Sequence, residues 1–264
     1  MARKQQNSPR NRGNSGDPAL PPLPPAVPDG TRVYAIGDIH GRMDLLGRLL
    51  RRIGTDALRA RAERKVLVCL GDYVDRGPAS RAVLDCLAGT PMPGFETHFL
   101  LGNHEDIMLT FLTDPGFGAN WVANGGDATL ESYAVEVPDP RLGCFGANDF
   151  RRAARELRAA LPKTHLAFLR GLERSHIEGD YLFVHAGIRP GVALVKQNPD
   201  DLIWIRRDFV ADTRAHEKLV VHGHTIVDEP EVRPNRIGID TGAWRSGHLT
   251  ALVLEGDHVD FIAT

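Results

Sequence analysis

The first part of the chain repeats one pattern three times: a short apolar run, a polar loop, and a segment with apolar residues at helical spacing. The apolar runs span residues 32–36, 66–70 and 98–101. After the first run, leucine and isoleucine recur on one side of residues 43–53, which predicts an amphipathic helix. Strand, loop and helix in repeated order predict an α/β domain with buried strands.

The second half of the chain returns to short apolar runs, at residues 180–184, 219–221, 236–239, 250–254 and 258–262. Strands spaced this closely predict a second, partly antiparallel sheet. Between the two halves, residues 148–161 are amphipathic, and Pro162 opens a further short helical segment through Arg170. The pattern predicts a mixed α/β fold.

Two segments depart from this pattern. Residues 1–30 combine polar residues and glycine with a proline-rich stretch, and this composition predicts a disordered tail. The tail is expected to be a solvated linker, with docking of its proline-rich part on an aromatic groove of a partner as the alternative. Residues 114–144 contain several glycines together with Trp121 and Tyr133. This insertion is either a lid that faces substrate or an irregular packed segment.

Composition narrows the class of protein. The chain has 264 residues and a net charge of −2, which argues against a general nucleic-acid binder or a protein of anionic membrane surfaces. None of its apolar runs approaches the length of a membrane span. Its three cysteines are odd in number and have no Cys-x-x-Cys spacing. We therefore expect reduced thiols and a cytoplasmic protein.

Polar residues that can bind metal follow five of the predicted strands. Each is an acid, an amide or a histidine within a few residues of a strand end, and together they are Asp38, His40, Asp72, Asn103, His185 and His224. A single such residue is more often a helix cap or a satisfied polar group. Six of them at consecutive strand ends predict a shared site. This number exceeds what one catalytic ion takes from protein, so the set favours two ions with Asp72 as the bridge.

Three motifs resemble the signature motifs of the PPP-type serine/threonine protein phosphatases, a branch of the calcineurin-like metallophosphoesterases. They are Gly37-Asp38-Ile39-His40-Gly41, the stretch Gly71–Gly77, and Gly102–Glu105. The resemblance runs from about residue 32 to the end of the chain. The branch it concerns includes short bacterial and phage enzymes. It implies one catalytic domain over residues 31–264. It also implies a two-sheet β-sandwich flanked by helices, with the site at the C-terminal strand ends.

The resemblance also implies roles for individual residues. Asp38, His40 and Asp72 would bind the first ion, and Asp72, Asn103, His185 and His224 the second. His104 would protonate the leaving group as general acid, with Asp75 as its carboxylate partner. Phosphate would be bound by Arg76, by Asn103 and by a second arginine. The segment Trp204-Ile205-Arg206 resembles a short bacterial pattern that favours Arg206, with Arg207 as the alternative.

Two positions distinguish among the activities found in the superfamily. Nuclease-type relatives carry a second histidine where this chain has Ile226, and symmetrical diadenosine tetraphosphate hydrolases usually carry glutamine in place of His40. Both differences favour a phosphomonoesterase that acts on phosphoserine and phosphothreonine in proteins. A small-molecule or diadenosine-polyphosphate hydrolase with the same core is the alternative. From another class, the chain could be a metal-binding pseudoenzyme that serves as an interaction module.

The expected cofactors are two divalent ions, with Mn²⁺ as the expected metal and Fe or Zn²⁺ compatible with the mixed nitrogen and oxygen ligands. The expected partner is a phosphoprotein or phosphopeptide substrate, with neither nucleic acid nor membrane. The proline-rich tail is a candidate for one weak partner.

Overall fold

Two five-stranded sheets face each other in the computed structural model, which describes residues 24–138 and 146–264. The strands are β1 (Thr31–Ile36), β2 (Arg64–Cys69), β3 (Glu96–Phe99), β4 (Ser175–Glu178), β5 (Tyr181–Val184), β6 (Leu219–His222), β7 (Glu231–Val232), β8 (Arg236–Gly238), β9 (Thr250–Glu255) and β10 (His258–Ala263). The first sheet has the order β10-β9-β1-β2-β3, and the second has the order β4-β5-β6-β8-β7.

Each sheet has a parallel centre and antiparallel edges. In the first, β1 pairs in parallel with β2, and β2 with β3, whereas β9 and β10 add antiparallel strands beside β1. In the second, β5, β6 and β8 are parallel, and β4 and β7 are antiparallel edges. The parallel strands of each sheet therefore bring their C-terminal ends, and the loops that follow them, to a shared edge.

Alternating side chains of the central strands fill two different layers. On β1, Val33 and Ala35 join the core between the sheets, whereas Tyr34 and Ile36 point to the helices on the outer face. Tyr181 and Phe183 on β5 likewise enter the core between the sheets. Because both faces of these strands are covered, the strands appear in the sequence as continuous apolar runs.

Helices cover the outer faces. They are α1 (Met43–Ala57), α2 (Ser80–Leu87), α3 (Asn103–Thr113), α4 (Gly118–Trp121), α5 (Asp127–Ser132), α6 (Ala147–Ala160), α7 (Lys163–Arg170), α8 (Asp201–Trp204), α9 (Arg207–Val210) and α10 (Ala243–Ser246). Residues of α1, α2, α3, α6 and α7 pack on the first sheet, and Phe209 of α9 packs on the second. Within the described ranges, no helix is both long and apolar enough to cross a membrane.

The structure confirms the mixed α/β fold with two sheets and differs from the sequence prediction in two places. The last two strands were expected in the second sheet, but β9 and β10 return to the first, with β9 paired to β1. The tail was expected to extend to residue 30, but Val27 is buried in the core between the sheets. The remaining part of the predicted tail, residues 1–23, lies outside the described residues, as do residues 139–145 of the insertion.

The insertion is a packed helical segment over the residues that the structure describes. A 3₁₀ turn at Pro115–Phe117 leads into α4, a π-helical turn at Val122–Gly126 follows, and α5 completes the segment. Trp121 is 0% exposed and Tyr133 is 2% exposed. These two aromatic residues therefore belong to the core and do not form a lid surface.

Candidate metal centre

All six predicted ligands are buried at the C-terminal edge of the two sheets. Asp38 and His40 follow β1, Asp72 follows β2, and Asn103 begins α3 just after β3. His185 and His224 follow β5 and β6 in the second sheet. Their exposed fractions are 4% or less. Buried polar groups of this kind require partners, and several of the six contact one another.

Asp72 is shared by two groups of side chains. Its Oδ2 lies 3.4 Å from His40 Nε2, and its Oδ1 lies 3.4 Å from His185 Nε2. One group consists of His40, Asp72 and His104, and the other of Asp72, His185 and His224, with ligand atoms within 4.8 Å of one another in each. Each oxygen of Asp72 therefore faces a different group, and in this arrangement Asp72 would be shared between two ions.

The histidine tautomers support cation binding. The Nδ1–H of His185 donates to the carbonyl oxygen of Leu70 at 2.8 Å, so Nε2 carries a lone pair. That lone pair faces Asn103 Oδ1 at 3.0 Å and His224 Nδ1 at 3.2 Å. The Nδ1–H of His40 donates to the Val74 carbonyl oxygen at 2.9 Å in the same way. Nitrogen and oxygen lone pairs that converge in this way fit a divalent cation.

The pKa shifts of these side chains also indicate a site for positive ions. Burial raises the pKa of Asp38 well above its usual range, and the charges of Asp240 and Asp72 add to the shift. Burial also raises the pKa of Asp240 to about 6. Burial lowers the pKa of His40 to about 3 and also lowers that of His185, which favours the neutral form of both imidazoles. Crowded carboxylates beside neutral imidazoles form a donor set that positive ions would stabilise.

The structure adds one acidic residue beside the predicted ligand Asp38. Asp38 is buried in the centre, where its carboxylate accepts from the backbone N–H of His224 at 3.1 Å. Asp240, which was not predicted, lies close enough to Asp38 to raise the pKa of that carboxyl. It comes two residues after β8, and its position at a strand end was the signal that could have identified it.

His104 and Asp75 form a buried pair beside the two groups. His104 Nδ1 lies 2.7 Å from Asp75 Oδ2, and His104 Nε2 lies 3.9 Å from Asp72 Oδ2. Burial alone would lower the pKa of His104, but the Asp72 charge and the hydrogen bond to Asp75 outweigh it and raise the pKa. His104 is therefore held in its protonated form more strongly than an ordinary histidine.

Asp75 is positioned by residues that the sequence did not identify. Its carboxylate accepts from Trp121 Nε1 at 2.9 Å and from Thr129 Oγ1 at 2.6 Å. Its backbone N–H donates to Ser80 Oγ at 3.1 Å. A lid that faces substrate was one of the two expectations for the segment that contains Trp121. The structure instead shows Trp121 holding the Asp75 carboxylate, which in turn contacts His104.

Glu105 organises the loop after β2. Its buried carboxylate accepts from the backbone N–H groups of Asp72, Tyr73 and Val74 at 2.9, 2.7 and 3.1 Å. Burial raises its pKa to about 8, and the Asp72 charge adds to this. Gly102 permits this close contact between loops, because a Cβ there would lie 2.2 Å from Asp72 Oδ1. The sequence placed Glu105 within a motif but gave it no role.

The backbone is strained at the centre. Among the described residues, six that are not glycine have positive φ, and five of these carry predicted site side chains. They are His40 (φ 45°), Asp72 (52°), Asp75 (70°), Arg76 (67°) and His224 (61°). Such conformations persist where the surroundings impose them, and they aim these side chains inward.

Two arginines lie beside the centre. Arg76 Nη1 is 2.9 Å from His40 Nε2, and its backbone N–H donates to the Gly125 carbonyl oxygen at 3.0 Å. Arg206 Nη1 donates to the carbonyl oxygen of His224 at 3.1 Å. Arg207, the alternative, begins α9. Arg206 is thus the arginine of this pair with a direct contact to the centre.

A third group, His98, Glu173 and His176, lies apart from the centre. The rings of His98 and His176 stack at 3.6 Å with an interplanar angle of 23°. Metal ions bind in the plane of an imidazole ring, and nearly parallel planes cannot direct two lone pairs to one ion. We therefore do not count this group as a metal centre.

A sequence profile described as "Calcineurin-like phosphoesterase" matches residues 31–263. The chain belongs to the calcineurin-like phosphoesterase family. Membership confirms the superfamily expected from the three motifs, and it agrees with the two side-chain groups that share Asp72. The centre is therefore the dinuclear divalent-metal centre of a metal-dependent phosphoesterase hydrolase.

The curated relatives of this family member have one recurring name, "Bis(5'-nucleosyl)-tetraphosphatase PrpE [asymmetrical]". The protein of Bacillus thuringiensis (strain Al Hakam) is 28% identical over 82% of this chain and 88% of its own length. That of Anoxybacillus flavithermus (strain DSM 21510 / WK1) is 29% identical with the same coverage. The expected branch was the protein phosphatases, and these relatives carry a different name.

Solved structures agree on the fold of this calcineurin-like phosphoesterase. A crystal structure of a candidate diadenosine tetraphosphatase superposes with a TM-score of 0.59 at 20% identity, covering 91% of this chain and 98% of its own. A mutant cold-active protein tyrosine phosphatase superposes with a TM-score of 0.54 at 20% identity, covering 89% and 80%. At this identity the likeness concerns the fold alone.

Proposed function

We propose that this protein hydrolyses bis(5'-nucleosyl) tetraphosphates asymmetrically, into a nucleoside monophosphate and a nucleoside triphosphate. The observation that carries the proposal is the similarity to relatives of that name over 82% of this chain and 88% of theirs. The absence of glutamine at His40 argued only against the symmetrical type of hydrolase. That argument therefore does not count against the asymmetrical reaction.

A protein phosphatase specific for phosphoserine and phosphothreonine is the second candidate. The His104–Asp75 pair, 2.7 Å apart and buried, favours it. A serine or threonine alkoxide needs a proton to leave, whereas a nucleoside triphosphate is a stable anion and needs one less. Ile226, in place of the second histidine of nuclease-type relatives, is compatible with both candidates.

The same side chains would act on either substrate. Two divalent ions, with Mn²⁺ as the expected metal, would activate water and neutralise charge on the phosphate. Their ligands would be Asp38, His40, Asp72, Asn103, His185 and His224. Arg76 and Arg206 would bind phosphate oxygens together with the Asn103 amide. His104, oriented by Asp75, would give its proton to the leaving oxygen.

A direct comparison of substrates tests the proposal. The full chain, stripped of metal by a chelator and reloaded with Mn²⁺, would be given diadenosine tetraphosphate, a phosphoserine peptide and p-nitrophenyl phosphate at equal concentrations. We expect the tetraphosphate to yield AMP and ATP faster than the peptide releases phosphate. The metal-free protein is the control and should be inactive.

Other outcomes have distinct meanings. Faster peptide hydrolysis, or ADP as the only nucleotide product, would overturn the proposal. Binding of Mn²⁺ without turnover of any of the three substrates would favour the pseudoenzyme.

A further inference from the structure

A cleft of about 410 Å³ opens beside Arg76. Ligand pockets in proteins have volumes of roughly 300–1,000 Å³, so the cleft can hold a small molecule or one part of it. Its lining includes Arg76, Asn124, Asp127, Ile226 and Trp244. Because Arg76 also reaches His40 Nε2 at 2.9 Å, the cleft adjoins the metal centre directly.

Trp244 provides a flat apolar wall that is partly open to solvent. It is 38% exposed, and the guanidinium carbon of Arg76 lies 5.4 Å from its ring centre. The ring is carried by α10, which the structure anchors on both sides. Ala243 is buried, and its carbonyl oxygen accepts from Arg42 Nη1 at 2.9 Å. An exposed aromatic ring on a fixed element is suited to stacking against a planar group.

Other side chains of the lining are polar. Asn124 contributes an amide, and Asp127 contributes a carboxylate. The Asp127 carboxylate would repel additional phosphate groups, but it can accept hydrogen bonds from sugar hydroxyls or from an exocyclic amino group. The cleft therefore combines the cationic Arg76 with groups suited to a neutral, hydrogen-bonding ligand.

We propose that this cleft binds the nucleoside next to the phosphate under attack, with the base stacked on Trp244. The inference rests on the proposed function: attack of water on the phosphate that carries the nucleoside, with the nucleoside triphosphate as leaving group, gives a nucleoside monophosphate and a nucleoside triphosphate. A nucleoside attached to a phosphate at Arg76 enters the adjoining cleft without an intervening phosphate. Trp244 would then determine specificity for the base, whereas the ions and Arg76 would contact the phosphate and would not distinguish one base from another.

Two matched ligands test the role of the base. AMP and ribose 5-phosphate carry the same phosphate ester and differ in the base. Each would be used to inhibit initial rates of p-nitrophenyl phosphate hydrolysis by the Mn²⁺-loaded full chain. Base stacking on aromatic residues contributes about 10-fold or more in affinity, so AMP should inhibit at roughly 10-fold lower concentration.

Variants assign the effect to one ring. Trp244→Ala should bring the inhibition constants of AMP and ribose 5-phosphate close together, and Trp244→Phe should restore most of the difference. Phe117→Ala removes an aromatic side chain that is 49% exposed and is not part of the cleft lining, so the advantage of AMP should persist. Because both ligands are compared within each variant, a general loss of activity does not imitate the result.

The outcomes separate this inference from the proposed function. An equal affinity of the wild-type protein for both ligands would overturn the nucleoside site, and so would an AMP advantage that persists in Trp244→Ala. Neither result would contradict tetraphosphate cleavage, which the comparison of substrates tests separately. Tighter inhibition by phosphotyrosine than by AMP would also overturn it, in favour of a peptide side chain. An AMP advantage that depends on Trp244 would support the site even where the tetraphosphate is not cleaved.

Discussion

His104 and Asp75 determine where a proton is held in this centre. The pair is buried, and the Asp75 carboxylate receives two further hydrogen bonds from Trp121 and Thr129. A carboxylate fixed in this way can orient one tautomer of the imidazole and stabilise its charged form.

Replacement of His104 tests proton donation. His104→Asn should slow hydrolysis of an alkyl phosphate by about 10²–10⁴-fold, the usual contribution of a general acid. p-Nitrophenyl phosphate and the tetraphosphate should lose less, because their leaving groups need less protonation. Steady-state rates on the three substrates provide the measurement, with the exposed His258→Asn as the control. Equal losses on all three would mean that His104 positions substrate and does not protonate it.

The Asp75 partner should determine the alkaline limit of activity. The pKa of His104 is raised, so the acid form persists to higher pH and the rate falls as pH rises through that pKa. Asp75→Asn removes one of the charges that raise it, and the alkaline limb of the kcat profile should therefore move to lower pH. Asp85→Asn, which removes the carboxylate 2.9 Å from His165, should leave the limb in place. An unchanged limb in Asp75→Asn would contradict the assigned partnership.

The sequence predicted the ligand side chains better than the residues that support them. Asp72, His185 and His224 could be predicted because metal-binding types follow buried strands at consecutive strand ends. Glu105 could not, because a carboxylate that accepts backbone N–H groups from another loop leaves no local pattern. The role of Trp121 was likewise hidden, since an indole in the core and an indole at a substrate site look alike in a sequence.

Among the elements, α4, the π-helical turn and α5 support the centre from outside the sheets. Gly126 packs against Trp121, and Gly125 packs against Arg76 with a φ of 100°. This segment therefore links Arg76 to the Asp75 network. The adjacent residues Gly125 and Gly126 are visible in the sequence, but the residue that each one contacts depends on the fold.

Gly126→Ala tests this support. A Cβ at Gly126 would lie 2.4 Å from the Trp121 ring, and overpacking of this kind costs about 1–3 kcal/mol. We expect a lower free energy of unfolding in denaturant titration, together with a lower kcat as Trp121 shifts from Asp75. Gly54→Ala is the matched control, since its nearest atom is 3.8 Å away and alanine in a helix gains about 0.5–1 kcal/mol. Unchanged stability and kcat in Gly126→Ala would show that the segment adapts.

The return of β9 and β10 to the first sheet shows that the strands could be predicted from the sequence but the sheet they join could not. Their apolar runs were correctly identified as strands, but the partner of β9 is β1, more than 200 residues earlier in the chain. Apolar periodicity indicates that a strand is buried without indicating its neighbour.

At the scale of the whole molecule, residues 25–27 join the two sheets. Val27 donates its N–H to the Gly256 carbonyl oxygen beside the first sheet, at 3.0 Å. The Ala26 carbonyl oxygen accepts from Asp180 beside the second sheet, at 2.9 Å. With Val27 buried between the sheets, this short segment stabilises their packing.

Two truncations test that contribution. Deletion through residue 28 removes the buried Val27 side chain, worth about 2 kcal/mol, and should lower the melting temperature by several degrees. Deletion through residue 23 keeps these contacts and should leave the melting temperature nearly unchanged, as the sequence predicts for a solvated tail. Equal melting temperatures for the two truncated proteins would contradict a stabilising role for residues 25–27.

The distribution of backbone strain has a consequence for improving this protein. Among the described residues that are not glycine, positive φ occurs outside the predicted site residues at Ala134, with φ 57°. A left-handed conformation costs a residue with a Cβ about 1 kcal/mol, so Ala134→Gly should raise the free energy of unfolding by up to that amount, as measured by denaturant titration. A loss of stability would contradict this. Relief of the same strain by glycine at Asp72 or Arg76 would remove a side chain to which the proposed function gives a role in the site. Stability can thus be gained at Ala134 without changing a predicted site residue, whereas at the strained site positions a gain in stability would be a loss in turnover.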